Sequence, residues 1–269
     1  VKSEPKNKMI NKVKAKKRAD QLLVDQSLVE SRTKAQALIL AGSVEFKKND
    51  RWEEVKKAGD SFLPDTEFRI EDATLADVGR GAQKLRGAFQ AWPEIQEKVI
   101  GKVGLDIGSS TGGFTQVLLE KGAARVVALD VGTHQLHERL RKDQRVLSLE
   151  QTHVLHVNES FWAEKNISLP FDFFVTDVSF ISVTKILAHA HAWLRSGAFW
   201  VLLVKPQFEL EAKKVPRGIV KDPVFRKEAL DRVLALVEGL DCFKIIGQID
   251  SPITGADGNV EYLICLQKL

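Results

Sequence analysis

The sequence predicts an α/β protein, a doubly wound and mostly parallel sheet covered by helices on both faces, preceded by a small α+β domain. Three observations carry this. From about Val99 onward, short apolar runs alternate with stretches of helical periodicity, the pattern of a parallel sheet wound with crossover helices. A glycine-rich turn, Gly108-Ser-Ser-Thr-Gly112-Gly113, follows the first of those runs. Finally, the basic excess is confined to the first quarter of the chain, which has a helix-and-strand pattern of its own.

Length and composition bound the answer. With 269 residues, 44% hydrophobic and 28% charged, the chain can bury one sizeable core and a smaller second one. The longest apolar run, Ala198 to Val204, is far short of the ~20 residues that cross a bilayer. Val1 to Lys17 is Lys-rich and lacks the apolar stretch of a secretory signal. The two cysteines, Cys242 and Cys265, have no Cys/His cluster near them, so neither a disulfide framework nor a zinc site is expected, and a cytoplasmic setting follows. No metal and no membrane insertion are expected.

The formal charge of +4 is unevenly placed. Residues 1–63 hold 15 Lys and Arg against 9 Asp and Glu, a net +6, and the remainder is −2. That asymmetry points to a polyanion contact at the N-terminal end. Residues 1–17 read as a basic flexible tail. From Arg18 the pattern changes: Leu22, Leu23, Val24, Leu28 and Val29 give a short helix, and Ser31 is a good N-cap for a second, with Ala35, Leu38 and Ile39 on one side. Arg32, Lys34 and Gln36 are left facing outward, and Gly42 is the expected C′ residue. Runs at 44–46, 52–55 and 67–70, the first two separated by the polar turn Lys47-Lys48-Asn49-Asp50, complete two helices on a small antiparallel sheet.

The segments Arg18-Ala-Asp20-Gln-Leu-Leu23 and Ser31-Arg32-x-Lys34-Ala-Gln36, with Gly42 following, resemble the RNA-binding module named after ribosomal protein S-four. The likeness spans residues 18–63 and implies binding of structured RNA by the second helix and the adjacent loop. Arg18, Arg32, Lys34, Lys47 and Lys48 are the candidate RNA contacts, able to neutralise phosphates without reading sequence. Taken singly, each is equally a solvated surface charge. Residues 64–83 read as a linker to a second domain over 84–269.

In that body the expected strands are Val103–Ile107, Arg125–Asp130, Arg145–Leu149, Phe171–Asp177, Phe199–Lys205, Phe243–Ile249 and Val260–Gln267. Helices are expected at Thr115–Glu120, Thr184–Leu194 and Pro223–Val237. Ligands of such sheets bind beyond the carboxyl ends of the strands, beside the first of them. Gly108 and Gly112 would let a ligand approach the backbone, and the spacing is not the Gly-x-Gly-x-x-Gly of dinucleotide sites. Asp130, ending the second strand, can accept two ribose hydroxyls, and Asp106 can face a cationic group. This set suits S-adenosylmethionine better than a phosphate; the alternative is a tight turn for Gly108 and a helix cap for Asp130. Asp177, Lys205 and Glu261 lie at the ends of apolar strands, where charge is costly unless paired or open to a cleft. Structural ion pairing is the bland alternative for each.

With Lys84, these three match in order and context the Lys-Asp-Lys-Glu tetrad of RNA ribose 2′-O-methyltransferases. The chain resembles the TlyA family, haemolysin-A-like rRNA methyltransferases of the FtsJ type, most closely in Leu105-Asp-Ile-Gly-Ser-Ser-Thr-Gly-Gly-Phe-Thr115, Thr176-Asp-Val-Ser-Phe-Ile-Ser182, Val204-Lys-Pro-Gln-Phe-Glu209, Gly218-Ile-Val-Lys-Asp-Pro223 and Gly258-Asn-Val-Glu-Tyr-Leu263. The resemblance implies a Rossmann-like class I methyltransferase sheet of seven strands with the last antiparallel. It also implies S-adenosylmethionine as cofactor, and cytidine 2′-O-methylation of ribosomal RNA on ribosomal subunits. Lys84, Asp177, Lys205 and Glu261 are then the catalytic set, with Lys205 as base or oxyanion partner, its proton affinity lowered by burial and by Lys84. Asp106, Gly108, Ser109, Gly112, Phe114, Asp130, Thr152 and Asp177 form the cofactor site. The chain departs from the family at Gly79-Arg80-Gly81-Ala82, at Val131 to Leu136 and at Glu150 to Leu155. Two other readings use the same residues: a non-catalytic ribosome-binding protein that retains the fold, and a membrane-active toxin, which the absence of a long apolar helix disfavours.

Overall fold

The computed structural model describes residues 15–29, 31–40, 42–70, 77–255 and 257–269. Its contacts divide the chain into two compact units, residues 1–71 and 72–269. Residues 1–14 of the expected tail lie outside the described residues, and Lys17 is part of a strand.

In the first unit, β1 (Lys17–Arg18) pairs with β4 (Ser61–Phe62), and α1 (Ala19–Asp25) and α2 (Arg32–Leu40) pack over a three-stranded antiparallel sheet. That sheet runs β3 (Arg51–Glu54), β2 (Val44–Lys48), β5 (Phe68–Ile70). The stretch read as a linker therefore contains a strand of the small sheet. Ala19, Leu22, Leu23, Ala35, Ile39, Val44, Val55 and Phe68 are its core. The first helix stops at Asp25, short of Leu28 and Val29, because Ser27 turns the chain at φ 57°. Ser31 Oγ accepts from Lys34 N at 3.2 Å, the expected cap of α2. The β2–β3 turn has Asn49 and Asp50 at φ 49° and 60°, the twist-matched geometry that Asn-Gly commonly supplies.

The second unit begins with α3 (Gly81–Ala91) and α4 (Glu94–Glu97). Then follow β6 (Val103–Ile107), α5 (Gly113–Glu120), β7 (Arg125–Leu129), α6 (Glu138–Arg141), β8 (Val146–Leu149) and α7 (Glu159–Glu164). The chain continues through β9 (Phe171–Thr176), α8 (Val183–Ala190), β10 (Leu194–Val204), α9 (Pro206–Glu209), α10 (Pro223–Gly239), β11 (Phe243–Asp250) and β12 (Tyr262–Lys268). The sheet order is β11-β12-β10-β9-β6-β7-β8, with β12 antiparallel to both neighbours and every other pairing parallel.

Period-two alternation explains why helices cover both faces. Along β10, Trp200, Leu202 and Val204 enter one cluster with Ile186, Leu187 and Val233, whereas Phe199, Val201 and Leu203 enter another with Leu85, Phe89 and Leu118. Winding reverses at β6: β7 and β8 lie to one side, β9 and β10 to the other. In sheets of this kind the ligand crevice lies beyond the carboxyl ends of the strands at such a switch, here those of β6 and β9.

Candidate active site at the carboxyl ends of the central strands

The four charged residues of the expected catalytic set sit at one end of this sheet or on the helix packed beside it. Asp177 follows β9, Lys205 follows β10 and Glu261 precedes β12, while Lys84 comes from the first turns of α3. They meet in a chain of contacts. Lys84 Nζ is 2.8 Å from Glu261 Oε2 and 3.4 Å from Asp177 Oδ2, and Lys205 Nζ is 2.7 Å from Asp177 Oδ1. Lys205 Nζ also donates to Ser179 Oγ at 3.0 Å. All four side chains are largely buried.

Paired charges explain how they tolerate that burial. Burial works to raise the Asp177 carboxyl, but Lys205 and then Lys84 outweigh it and hold the group at about 2. At Lys84 burial favours the neutral amine, and the Asp177 and Glu261 carboxylates overcome it and raise the pKa. Asp177 lies between the two lysines, bonded to both, where the resemblance implied that Lys84 acts on Lys205 as a neighbour.

The glycine turn is built by packing. Gly108 (φ 84°) leaves β6 so close to the exit of β9 that a Cβ there would stand 2.4 Å from Asp177 O. Gly112 (φ 96°) opens α5, and its Cβ would meet Leu140 Cδ1 at 2.2 Å. The sequence reading offered ligand approach for both glycines, with a tight turn as the alternative for Gly108; in the fold each also stands where the chain closely approaches itself. Ser109 is buried in the same turn and its carbonyl accepts from Gly112 N at 2.7 Å.

Asp130 braces this turn from the end of β7, Oδ2 accepting from Ser110 N at 2.8 Å and Oδ1 from Gly132 N at 2.7 Å. Thr152 N donates to Asp130 O at 2.9 Å, so the Thr152 loop lies against it. Asp106 is fully buried beneath the turn. Its Oδ2 accepts from Thr115 Oγ1 at 2.6 Å, whereas Oδ1 has no hydrogen-bond partner. Burial, with smaller contributions from Asp177 and Asp130, pushes its carboxyl up to about 7. Phe114 is packed in the apolar cluster with Ala82 and Leu85.

Four residues not singled out from the sequence complete the site. Glu150 accepts from His134, Gln135 and Leu136 N at 2.9, 2.7 and 3.0 Å, which outweighs its burial and lowers its pKa while fixing the loop after Asp130. Buried Glu209 accepts from Val183 N at 2.9 Å and from Ser182 Oγ, tying the segment after Asp177 to the one after Lys205. Asn259, two residues before Glu261, is buried and bonded to the 218–220 segment. Phe180 is 92% exposed at φ 65°, its ring 5.3 Å from that of Phe208. The signal available for Glu209, Asn259 and Phe180 was their place inside motif segments; none had a pattern of its own. The histidines serve locally: His153 Nδ1 accepts from Leu155 N, and His137 Nδ1 from Arg139 N. Among the described residues no group of three or more His, Cys, Asp or Glu is placed to hold a metal.

In the first unit the candidate contacts are largely engaged. Asp20, fully buried, accepts from Arg18 Nε at 2.9 Å, Arg32 Nη2 at 2.9 Å and Gln36 Nε2 at 2.8 Å, which holds its carboxyl far below the usual range. Arg32 and Gln36 thus knit α2 to α1 while Arg18 bonds Asp20 from the start of α1, yet the Arg18 and Arg32 side chains remain 51% and 50% exposed. Lys47 lies 3.5 Å from Glu67 and Lys48 3.2 Å from Glu53, and Lys34 is exposed on α2.

A seven-stranded sheet with this order and one antiparallel strand, bearing a lysine–carboxylate chain at its strand ends, defines a methyltransferase-type domain. The chain belongs to the FtsJ-like methyltransferase family, whose model matches residues 78–268. It is 40% identical over 253 residues to the 16S/23S rRNA (cytidine-2′-O)-methyltransferase TlyA of Mycobacterium tuberculosis, covering 93% of this chain and 89% of that one. It is 39% identical over 248 residues to Hemolysin A of Brachyspira hyodysenteriae, covering 91% and 98%. A solved hemolysin-named structure from Streptococcus thermophilus aligns with a TM-score of 0.69 at 37% identity, over 94% of this chain and 89% of that one. These likenesses extend well beyond the residues of the family match. Among the described residues, no helix is long and apolar enough to cross a membrane.

Proposed function

We propose that this protein transfers a methyl group from S-adenosylmethionine to the ribose 2′-hydroxyl of a cytidine in ribosomal RNA, acting on a ribosomal subunit in the cytoplasm. The observation that carries the reading is the buried chain Glu261–Lys84–Asp177–Lys205 at the exit of the glycine turn. The crevice suits the cofactor's chemistry. Its cationic end calls for carboxylates, and Asp106 Oδ1 is a buried acceptor without a partner, with Asp177 beside it. Asp130 and Thr152 would hold the ribose, and Ser109, Gly112 and Phe114 would line the turn. When bound, the cofactor supplies an electrophilic methyl group on a sulfonium.

A ribose hydroxyl is a poor nucleophile at neutral pH, so alignment and relief of its proton are what the chain must provide. Lys205 Nζ, at the mouth of the crevice, is the group to take that proton or, as an ammonium, to hold the oxyanion. Asp177 orients it through the 2.7 Å contact and stabilises positive charge at the donor. Lys84 and Glu261 fix Asp177 from its other side and hold the ribose. Phe180, exposed beside Lys205's partner Ser179, offers a flat face for a base turned out of its helix. Isolated small and large subunits incubated with methyl-labelled S-adenosylmethionine should acquire label in their RNA. Protein that binds the cofactor and labels neither subunit would contradict the proposal.

The first unit is the proposed RNA-docking module. Lys34, Lys47 and Lys48 contribute by charge, and Arg18 and Arg32 through the guanidinium edges that Asp20 leaves free. Exchanging Lys34 and Lys48 for Glu should weaken subunit binding, with a shallower salt dependence, and leave cofactor affinity unchanged. A filter-binding series across salt concentrations measures the first, and calorimetry the second.

A further inference from the structure

The segment that leaves Lys205 returns to the active site twelve residues later, at an unusual turn. Arg217 has φ 56° and ψ 28°, left-handed values that favour glycine, and Gly218 follows at φ 79°. A non-glycine residue pays strain to stand there, and such strain persists where surrounding structure enforces it. Here the enforcement is visible. Asn259 Nδ2 donates to Gly218 O at 2.8 Å and its Oδ1 accepts from Val220 N at 2.9 Å, so one buried amide holds the chain as it leaves the turn. Asn259 is itself anchored, its carbonyl accepting from Gly255 N at 2.9 Å, in the loop that delivers Glu261. The clamp therefore ties the Arg217 turn to the active-site carboxylate loop.

The turn presents charge that the fold does not use. Lys213 is 2.6 Å from Glu211, and Lys214 is 2.5 Å from Glu228, so these neighbours are neutralised. Arg217 and Lys221, both exposed, form no ion pair or side-chain hydrogen bond among the described residues. One cation thus stands in the turn that Asn259 holds and a second follows it four residues on, tied through that clamp to a site whose own four charges are spent on one another.

We propose that Arg217, supported by Lys221, binds a backbone phosphate of the RNA strand beside the target nucleotide, with Asn259 as the positioning residue that sets its height over the site. This rests on the reading of the site as RNA-directed. A guanidinium presents its donors as a fixed fork, so a phosphate held by it has a defined orientation as well as a defined place. The contact would fix which nucleotide of the strand reaches Lys205.

The test uses full-length protein in a Lys205→Ala background, so that binding to isolated ribosomal subunits is measured without turnover. Arg217→Gly removes the charge and suits the left-handed backbone, so its melting temperature should equal or exceed the parent's. Its affinity for the subunit should nevertheless fall about tenfold near 0.15 M salt, with a salt slope smaller by about one. Arg217→Lys should keep the slope and recover part of the affinity. Lys244→Ala, an exposed lysine on β11 at the far end of the sheet, should change neither. In the active background, Arg217→Gly should raise KM for the subunit with little change in kcat. An unchanged affinity and slope for Arg217→Gly, or a loss equally large for Lys244→Ala, overturns the proposal. If affinity falls as expected while the parent enzyme labels no RNA, the phosphate contact stands and the methyl-transfer reading is what fails.

Discussion

Replacing Lys205 with Ala is expected to lower methyl transfer by about a thousandfold, in the range that a positioned proton acceptor supplies, while the protein stays folded and binds its cofactor. The reason lies in the pairing. Asp177 retains Lys84 at 3.4 Å when Lys205 is removed, so the buried carboxylate is not left without a counter-ion, and Ser179 loses only a hydrogen bond shared with a side chain that is gone. Lys205→Arg should not restore activity, because a guanidinium neither gives up its proton nor fits the same place between Asp177 and Ser179. Single-turnover rates with labelled cofactor, set beside calorimetric cofactor binding, separate the chemical step from assembly of the site. Turnover of Lys205→Ala within tenfold of the parent removes Lys205 from the chemistry.

The second large effect concerns stability. Asp106 has a folded pKa of about 7 against 3.8 in the unfolded chain, so between those values the folded state keeps a proton that the unfolded state releases. Stability falls as pH rises through this window, and the whole penalty, on the order of 4 kcal/mol at one pKa unit per 1.36 kcal/mol, is present above pH 7. Asp106→Asn retains an acceptor for Thr115 and removes the charge. Its melting temperature should match the parent near pH 4 and exceed it by several degrees at pH 8, while cofactor affinity drops because the buried carboxylate is the partner offered to a cation. Asp177 behaves oppositely. With its folded pKa held near 2 by two lysines, its contribution is present above pH 3.8 and is lost as pH falls toward 2. Equal melting temperatures for Asp106→Asn and parent across pH 4 to 8 would show that Asp106 does not bury its charge.

Legibility in the sequence followed the reach of each signal. The central strands were readable because they are buried on both faces and appear as apolar runs, Val103–Ile107 and Phe171–Thr176 among them. Strand β10 starts at Leu194 rather than Phe199, since the chain joins the sheet, leaves register around Gly197 (φ 80°) and rejoins it at Phe199. The helix read as Thr184–Leu194 stops at Ala190, where a tight turn over His191–Trp193 hands the chain to that early strand. Helix α3 was not read at all. Its sequence holds two glycines and four polar residues, and what makes it a helix is the packing of Ala82, Leu85, Ala88 and Phe89 onto the sheet face. Lys84 was found through resemblance alone, because nothing local marks a lysine whose partners lie 93 and 177 positions away. Glu150 and Asn259 were missed for the same reason: their ligands are backbone groups of distant segments. In the first unit, charge was legible but its use was not, since Asp20 looked like one carboxylate among several and proves to be the buried anchor of Arg18 and Arg32.

The proposed function requires that this site direct the methyl group to a ribose oxygen. A 2′-O-methyl group removes the nucleophile that alkali uses to break the adjoining phosphodiester bond. Labelled subunit RNA, hydrolysed to completion in alkali, should therefore release its label in an alkali-resistant dinucleotide, and enzymatic digestion of the same RNA should release it as 2′-O-methylcytidine. Label recovered in mononucleotides, on a base rather than a ribose, contradicts the account.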